Sequence, residues 1–159
     1  MSTIDYSALS AIESMVGEDA EETSQLRALY ERAVNYICSF HWHGKIEKIY
    51  FGLGVSDIVG VFLFELTPRS ANVDKLLWVI IGDVPPAYLV TDDAPDAATA
   101  LQVYIREMNR WVEAAKAGAS IKEVIPVNAP PTIGNATDLE RRLKFLEEEI
   151  LPQYRSKNG

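Results

Sequence analysis

An uninterrupted apolar run from Leu76 to Ile81 constrains the fold more than any other part of the chain. Six residues are too few for a typical helix, and the β-branched residues in the second half of the run favour a strand. Side chains alternate between the two faces of a strand, so Leu77 and Trp78 are expected to point in opposite directions. Both faces of the sheet are therefore predicted to be apolar, and something must cover each of them.

Segments with the pattern of strands surround this run. In the first of them the residues Ile49, Phe51 and Leu53 are expected to share a face. Short connections between successive strands favour an antiparallel meander, in which each strand pairs with the next one along the chain. The four predicted strands cover residues 45–53, 58–66, 76–81 and 87–91.

Two long helices are predicted from apolar residues that recur every three or four positions. The first begins in the acidic patch at 18–22, where negative charge favours a helix start, and it ends near His41. The second is expected to be capped by Asp93, with Pro95 in its first turn, and to end before Gly118.

The remaining segments predict three smaller elements. Residues 5–16 have the apolar spacing of a short helix. The prolines between 119 and 136 favour an extended arm, and the capping-box spacing at 137–140 predicts a C-terminal helix over 137–152. The predicted fold is α+β, a single domain over 1–159. In this fold the four-stranded meander is packed with the two long helices on one face, and the small elements or a second subunit shield the other face.

The composition excludes several classes of function. The net charge of −8 and the pI near 4.8 argue against nucleic acid and anionic membranes as main partners. No apolar run approaches the length of a membrane span, and a start without a basic, apolar leader predicts a cytoplasmic protein. The single cysteine fits a reducing compartment. The acidity has two interpretations: it keeps the chain soluble, or it forms a face that docks a basic partner.

Two stretches resemble recurring segments of an uncharacterised bacterial family of small cytosolic proteins. They are IIGDVPPAYLVTDDAP, at residues 80–95, and IPVNAPPT, at residues 125–132. The resemblance covers the last two-thirds of the chain. It implies no activity, so no functional residue is carried over from the family.

A weak candidate metal site lies at the end of the first helix. Cys38, His41 and His43 are residue types that bind zinc or copper. A site needs three or four ligands, and the sequence has no further Cys or His, so carboxylates would have to complete it. The alternative is a helix C-terminus at which the imidazoles meet the helix dipole. The sequence therefore assigns no metal or other cofactor.

Other candidate residues come from carboxylates and aromatic side chains. Asp83, Asp92 and Asp93 could act in acid–base chemistry, but each also suits a turn or a helix start, and 83 and 92 are expected at opposite ends of a strand. No Gly-x-Ser-x-Gly elbow or phosphate loop is present, so no catalytic residue is assigned. Pocket or interaction candidates are also found among the aromatic residues: Trp78, Tyr88, Tyr104 and Trp111.

Two functions from different classes remain open. The first, which we prefer, is a non-catalytic protein-interaction module, such as an immunity-type inhibitor or an adaptor, that uses an acidic surface to bind a basic protein. The second is a small-molecule-binding or enzymatic domain with an aromatic-lined pocket between sheet and helices. A homodimer is also expected, because a second subunit could cover one face of the sheet.

Overall fold

A computed structural model describes residues 4–155 and confirms the α+β class. Within that range it contains one antiparallel sheet of five strands, with helices before and after it. The elements are β1 (Ser10–Ala11), α1 (Ala20–Cys38), β2 (Lys45–Val55), β3 (Val59–Thr67), β4 (Leu76–Gly82), β5 (Ala87–Val90), α2 (Ala97–Ala117), α3 (Ile133–Phe145) and α4 (Leu151–Arg155).

The chain divides into two compact units, one up to Ala100 and the other from Leu101. The first holds the sheet, α1 and the start of α2, and the second holds the rest of α2 with α3 and α4. The single domain expected from the sequence stays a prediction.

The strands lie in the sheet in chain order, β1 to β5, and every neighbouring pair is antiparallel. The four-stranded meander is thus confirmed, with one strand more than predicted. The extra strand is β1, in which Ser10 is paired with Phe51 of β2. The predicted helix over 5–16 is therefore wrong. Instead of one helix, single 3-10 turns form at Tyr6–Ala8, where the Asp5 carboxylate caps the turn by accepting from the Ser7 N–H, and at Ile12–Ser14.

One face of the sheet packs against α1. Leu26, Leu29 and Ile37 of the helix lie in a single buried cluster with strand residues such as Phe62 and Val79. The cluster also contains Leu77 and Ile81, as the alternation along β4 predicts. This is the main core of the first unit.

The opposite face is also buried. Trp78 has no exposed surface, and its indole N–H donates to the backbone carbonyl of Ala94 over 2.8 Å. The start of α2 lies on this face, because a Cβ added at Gly52 would come within 2.6 Å of Ala97 and 3.4 Å of the Trp78 ring. The prediction that both long helices share one face is therefore wrong: α1 packs on one face and α2 begins on the other.

A bulge at Gly52 corrects the expected face of Leu53. The register shifts between Phe51, which is paired with Phe62, and Leu53, which is paired with Val61. Because one residue is inserted, Leu53 points away from the α1 face and is buried on the other one. Ile49 and Phe51 share a face as predicted, and Leu53 does not.

Glu22 connects the start of α1 to the turn between β2 and β3. Its carboxylate accepts hydrogen bonds from the backbone N–H of Glu18 (2.8 Å) and from the N–H and hydroxyl of Ser56 (both 3.1 Å). Asp19 caps the helix by accepting from the Glu22 N–H. The hydrogen bonds to the Glu22 carboxylate lower its pKa, and the bond from the Glu18 N–H has the largest effect. Burial acts in the opposite direction but does not outweigh them.

Helix α2 begins after the predicted position. Its cap is Asp96 rather than Asp93, because the Asp96 carboxylate accepts from the N–H of Thr99 over 2.8 Å. A proline disfavours helical geometry in the residue before it, so Pro95 holds Ala94 outside the helix.

In the second unit the segment after α2 is irregular until α3 begins at Ile133. Thr132 caps α3 by accepting from the Asn135 N–H, so the predicted start at 137 is wrong and the predicted arm over 119–136 ends four residues early. The terminal helix continues past the predicted end at 152 to Arg155, with Pro152 inside it. A proline lacks the N–H for a helical bond, and the turn before it, Leu146–Ile150, widens to π geometry.

Candidate interaction surface on strand β5

Strand β5 forms one edge of the sheet, because β4 is its only partner among the strands of residues 4–155. Tyr88 is paired with Val79 and Val90 with Leu77, so both side chains point to the face on which α1 packs. Helix α1 covers them only in part at this edge. Tyr88 is 38% exposed and Val90 is 51% exposed, whereas most residues of the neighbouring strands β3 and β4 are buried.

Four aromatic side chains meet at this edge. The Tyr88 ring lies 5.0 Å from that of Trp42, 5.2 Å from that of Phe40 and 6.4 Å from that of Tyr36. Phe40 stacks on Trp42 at 5.0 Å and meets Tyr36 edge-on at 5.2 Å. These distances are typical of stabilising ring contacts. The four rings together with Val90 are called the β5 patch below.

The chain builds this cluster where α1 ends. Ser39 follows the last residue of α1, and the 3-10 turn His41–His43 then leads into β2, so Phe40 and Trp42 flank the first residue of that turn. Gly44 permits the reversal, since its φ is +62° and a Cβ there would lie 2.1 Å from the carbonyl oxygen of Thr67.

Tyr36 has a perturbed acidity within the patch. Burial, together with the neighbouring Tyr88 hydroxyl, raises the pKa of Tyr36 to about 12. A hydrogen bond from the backbone N–H of Tyr88 lowers the pKa but does not offset this rise. The Tyr36 hydroxyl is therefore protonated at neutral pH. Because it takes up a backbone N–H of the edge strand, it hinders addition of a further strand there.

Carboxylates flank the patch at both ends of β5. Asp83 is exposed in the turn before the strand, and its backbone N–H donates to the carbonyl of Ile58 over 2.9 Å. Asp92 and Asp93 are exposed in the turn after it. The four residues of β5 span about 13 Å, so these carboxylates lie at opposite ends of the strand and do not form a catalytic pair.

The structure does not bring the candidate metal ligands together. Cys38 is exposed, and the Nδ1 atom of His43 lies 2.7 Å from the carbonyl oxygen of Phe40, which makes that nitrogen a donor. No three His, Cys, Asp or Glu side chains within residues 4–155 are placed to hold a metal ion, so Cys38, His41 and His43 do not form a site in this part of the chain.

The aromatic residues expected to line one pocket are separated. Trp78 and Tyr88 lie on opposite faces of the sheet, because Trp78 is paired with Leu89 and Tyr88 with Val79. Tyr104 and Trp111 are buried on α2 in the second unit. Within the described chain the indole N–H of Trp111 is buried without a hydrogen-bond partner. The sequence prediction of a shared pocket is therefore wrong for Trp78 and Tyr88.

Sequence reasoning missed three members of the patch. Tyr36, Phe40 and Trp42 are not among the aromatic candidates that the sequence suggests. The usable signal is the aromatic density of YICSFHW at residues 36–42, which crosses the end of a helix. Aromatic residues beyond a helix end cannot all belong to its buried stripe.

Comparison with family models, curated proteins and solved structures finds no significant match to this chain. Over residues 4–155, no helix combines the length and the apolar character needed to cross a membrane.

Proposed function

We propose that this chain is a non-catalytic protein-interaction module that binds a basic protein through the β5 patch. The observation that carries the proposal is the set of four contacting rings, together with the exposure of Tyr88 and Val90 on an edge strand. Exposed apolar groups of this kind, clustered rather than scattered, are typical of interaction surfaces.

The chemistry of the patch supports a basic partner. Tyrosine and tryptophan dominate the energetics of protein interfaces because they offer large, rigid contact areas. Their ring faces also attract arginine and lysine side chains. Asp83, Asp92 and Asp93 at the two ends of β5 would pair with further cations, and the net charge of −8 favours encounter with a basic surface.

The alternative, an aromatic-lined ligand pocket, has lost its main support. It required Trp78 and Tyr88 to face the same cavity, and they lie on opposite faces of the sheet. The Trp78 indole is also committed to the carbonyl of Ala94.

The proposal is tested with two matched variants used as affinity baits beside the unmodified chain. Tyr88→Ser removes the exposed ring of the patch, and Tyr6→Ser removes a comparably exposed ring, 46% exposed, next to Tyr50 of β2. We expect a basic protein that is retained by the unmodified chain and by Tyr6→Ser and is lost from Tyr88→Ser. Raising the NaCl concentration from about 0.05 M to about 0.5 M should release it, because salt screens exposed charges. Retention by Tyr88→Ser, or retention indifferent to salt, would contradict the proposal.

The homodimer expected from the sequence is a separate proposal. The burial of both sheet faces within one chain weakens the main argument for it. That argument assumed that a second subunit covers one sheet face, yet Trp78 and Ile80 are fully buried in the single chain. The β5 patch is one exposed apolar surface on which a second copy would pack. Size-exclusion chromatography with light scattering distinguishes the cases: a dimer that dissociates on Tyr88→Ser would assign the patch to self-association instead of a basic partner.

A further inference from the structure

A cleft of about 430 Å³ lies in the second unit, between α2 and the terminal helical segment that contains α4. Ile105 and Leu151 line it and are buried, whereas the other lining side chains are polar or charged. The cleft contains none of the aromatic residues that the sequence suggested for a pocket, and it belongs to a different unit from the β5 patch.

Three of the eight arginines in this acidic chain line the cleft: Arg106, Arg110 and Arg155. Arg155 donates to the side-chain oxygen of Gln102 over 2.9 Å. Arg106 and Arg110 both reach the Glu107 carboxylate, at 3.5 Å and 3.1 Å. This sharing orders the two guanidinium groups and neutralises about one positive charge. Two positive charges remain, and the carboxylates of Glu113 and Glu147, which also line the cleft, balance them.

The cleft is polarised along its length. The bond between Gln102 and Arg155 places the end of α4 beside the first turns of α2. Glu147 lies eight residues before Arg155, two helical turns away, and therefore at the other end with Glu113. One end thus carries Arg155 and Arg106, and the opposite end carries Glu113 and Glu147. Arg110 lies between the two ends on α2 and is paired with Glu107.

We propose that this cleft binds a short peptide with free termini, its carboxylate at the Arg106 and Arg155 end and its ammonium group at the Glu113 and Glu147 end. Arg106 and Glu113 are seven residues apart on α2, which corresponds to about 10 Å along the helix. An extended chain of about three residues spans the same distance. The mixed charge of the cleft selects such a zwitterion against a simple anion.

The test uses triglycine as the probe and chemical-shift changes in the NMR spectrum of the full chain as the readout. We expect shifts confined to residues that line the cleft. Triglycinamide and N-acetyltriglycine, which each lack one terminal charge, should bind about three- to fivefold more weakly, in line with the strength of exposed ion pairs. This comparison needs no variant, so it does not depend on how a substitution affects folding.

Two variants then assign the ends of the cleft. Arg106→Gln should reduce the preference for triglycine over its amide while keeping the preference over the acetylated form, and Glu113→Gln should do the reverse. Arg141→Gln changes an exposed arginine of α3 outside the cleft and should alter neither preference. Absence of shifts at the cleft, equal binding of all three peptides, or stronger binding of inorganic phosphate would each overturn the proposal.

Discussion

Replacing Trp78 by phenylalanine tests whether the sheet face opposite α1 is packed and excludes water. The substitution removes the N–H that donates to the carbonyl of Ala94, itself 1% exposed, and it leaves that acceptor unsatisfied. An unsatisfied buried group costs about 1–3 kcal/mol. The side chain also loses three heavy atoms from a site with no exposed surface, worth about 2 kcal/mol at roughly 0.8 kcal/mol per buried methylene. We therefore expect a loss of about 3–5 kcal/mol in the free energy of unfolding.

The matched control for this change is Trp42→Phe. It deletes the same atoms from a half-buried ring of the β5 patch, so a loss of about 1 kcal/mol or less is expected. The free energy of unfolding of both variants is measured by urea titration, with circular dichroism as the readout. The reasoning is refuted if Trp78→Phe costs less than about 1 kcal/mol, or if the two variants lose equal stability.

Three further predictions follow from the charges and the backbone of the first unit. Glu22→Gln should destabilise the protein more at pH 7 than at pH 3. The lowered pKa of the Glu22 carboxyl adds stability that is present above about pH 4.5 and is lost as the pH falls through the pKa of the folded state. Equal shifts of the urea midpoint at the two pH values would contradict this prediction. The raised pKa of Tyr36 adds stability that is lost as the pH rises from 10 to about 12. In Tyr36→Phe the free energy of unfolding should therefore fall less steeply over that pH range. An unchanged slope of the free energy of unfolding against pH would contradict this prediction. Gly82→Ala places a Cβ 2.2 Å from the carbonyl oxygen of Ile58 at a φ of +148°, whereas Gly118→Ala has a φ of +66° and its added Cβ meets no described atom within 4 Å. Gly82→Ala should therefore lower the free energy of unfolding by at least about 2 kcal/mol more than Gly118→Ala. Equal thermal midpoints of the two variants would refute the steric argument.

The apolar pattern of the chain was sufficient to predict four of the five strands of the sheet. Leu76–Ile81 could only be a strand with two apolar faces, and the structure buries Leu77 and Trp78 on opposite faces. A pattern of period two fails where one residue is inserted. The bulge at Gly52 moves Leu53 to the other face, and a lone glycine in a strand does not reveal whether the register shifts.

Helix boundaries were less predictable because the chain offers competing caps. Thr132 and Thr137 both precede helical sequence, and the structure uses Thr132, whose hydroxyl bonds to Asn135. Asp93 and Asp96 compete in the same way before α2, and the choice depends on the restraint that Pro95 places on the residue before it.

The candidate site was predictable only in part. Tyr88 and the flanking carboxylates were identified because they lie in and around a recognisable strand. The exposure of the patch could not be predicted, since it depends on how far α1 extends over the edge of the sheet. The ring contacts of Tyr36 and Trp42 with Tyr88 join residues about fifty positions apart in sequence, and no local pattern reports them.

The measurement that tests the account most directly is the solvent accessibility of the three tryptophan indoles, read by NMR with a soluble paramagnetic probe, before and after the basic partner is added. In the free protein the Trp42 signal should be attenuated while the signals of Trp78 and Trp111, at most 1% exposed, are preserved. Addition of the partner should protect Trp42. Strong attenuation of Trp78 in the free protein, or a complex in which Trp42 stays as accessible as before, would contradict the account.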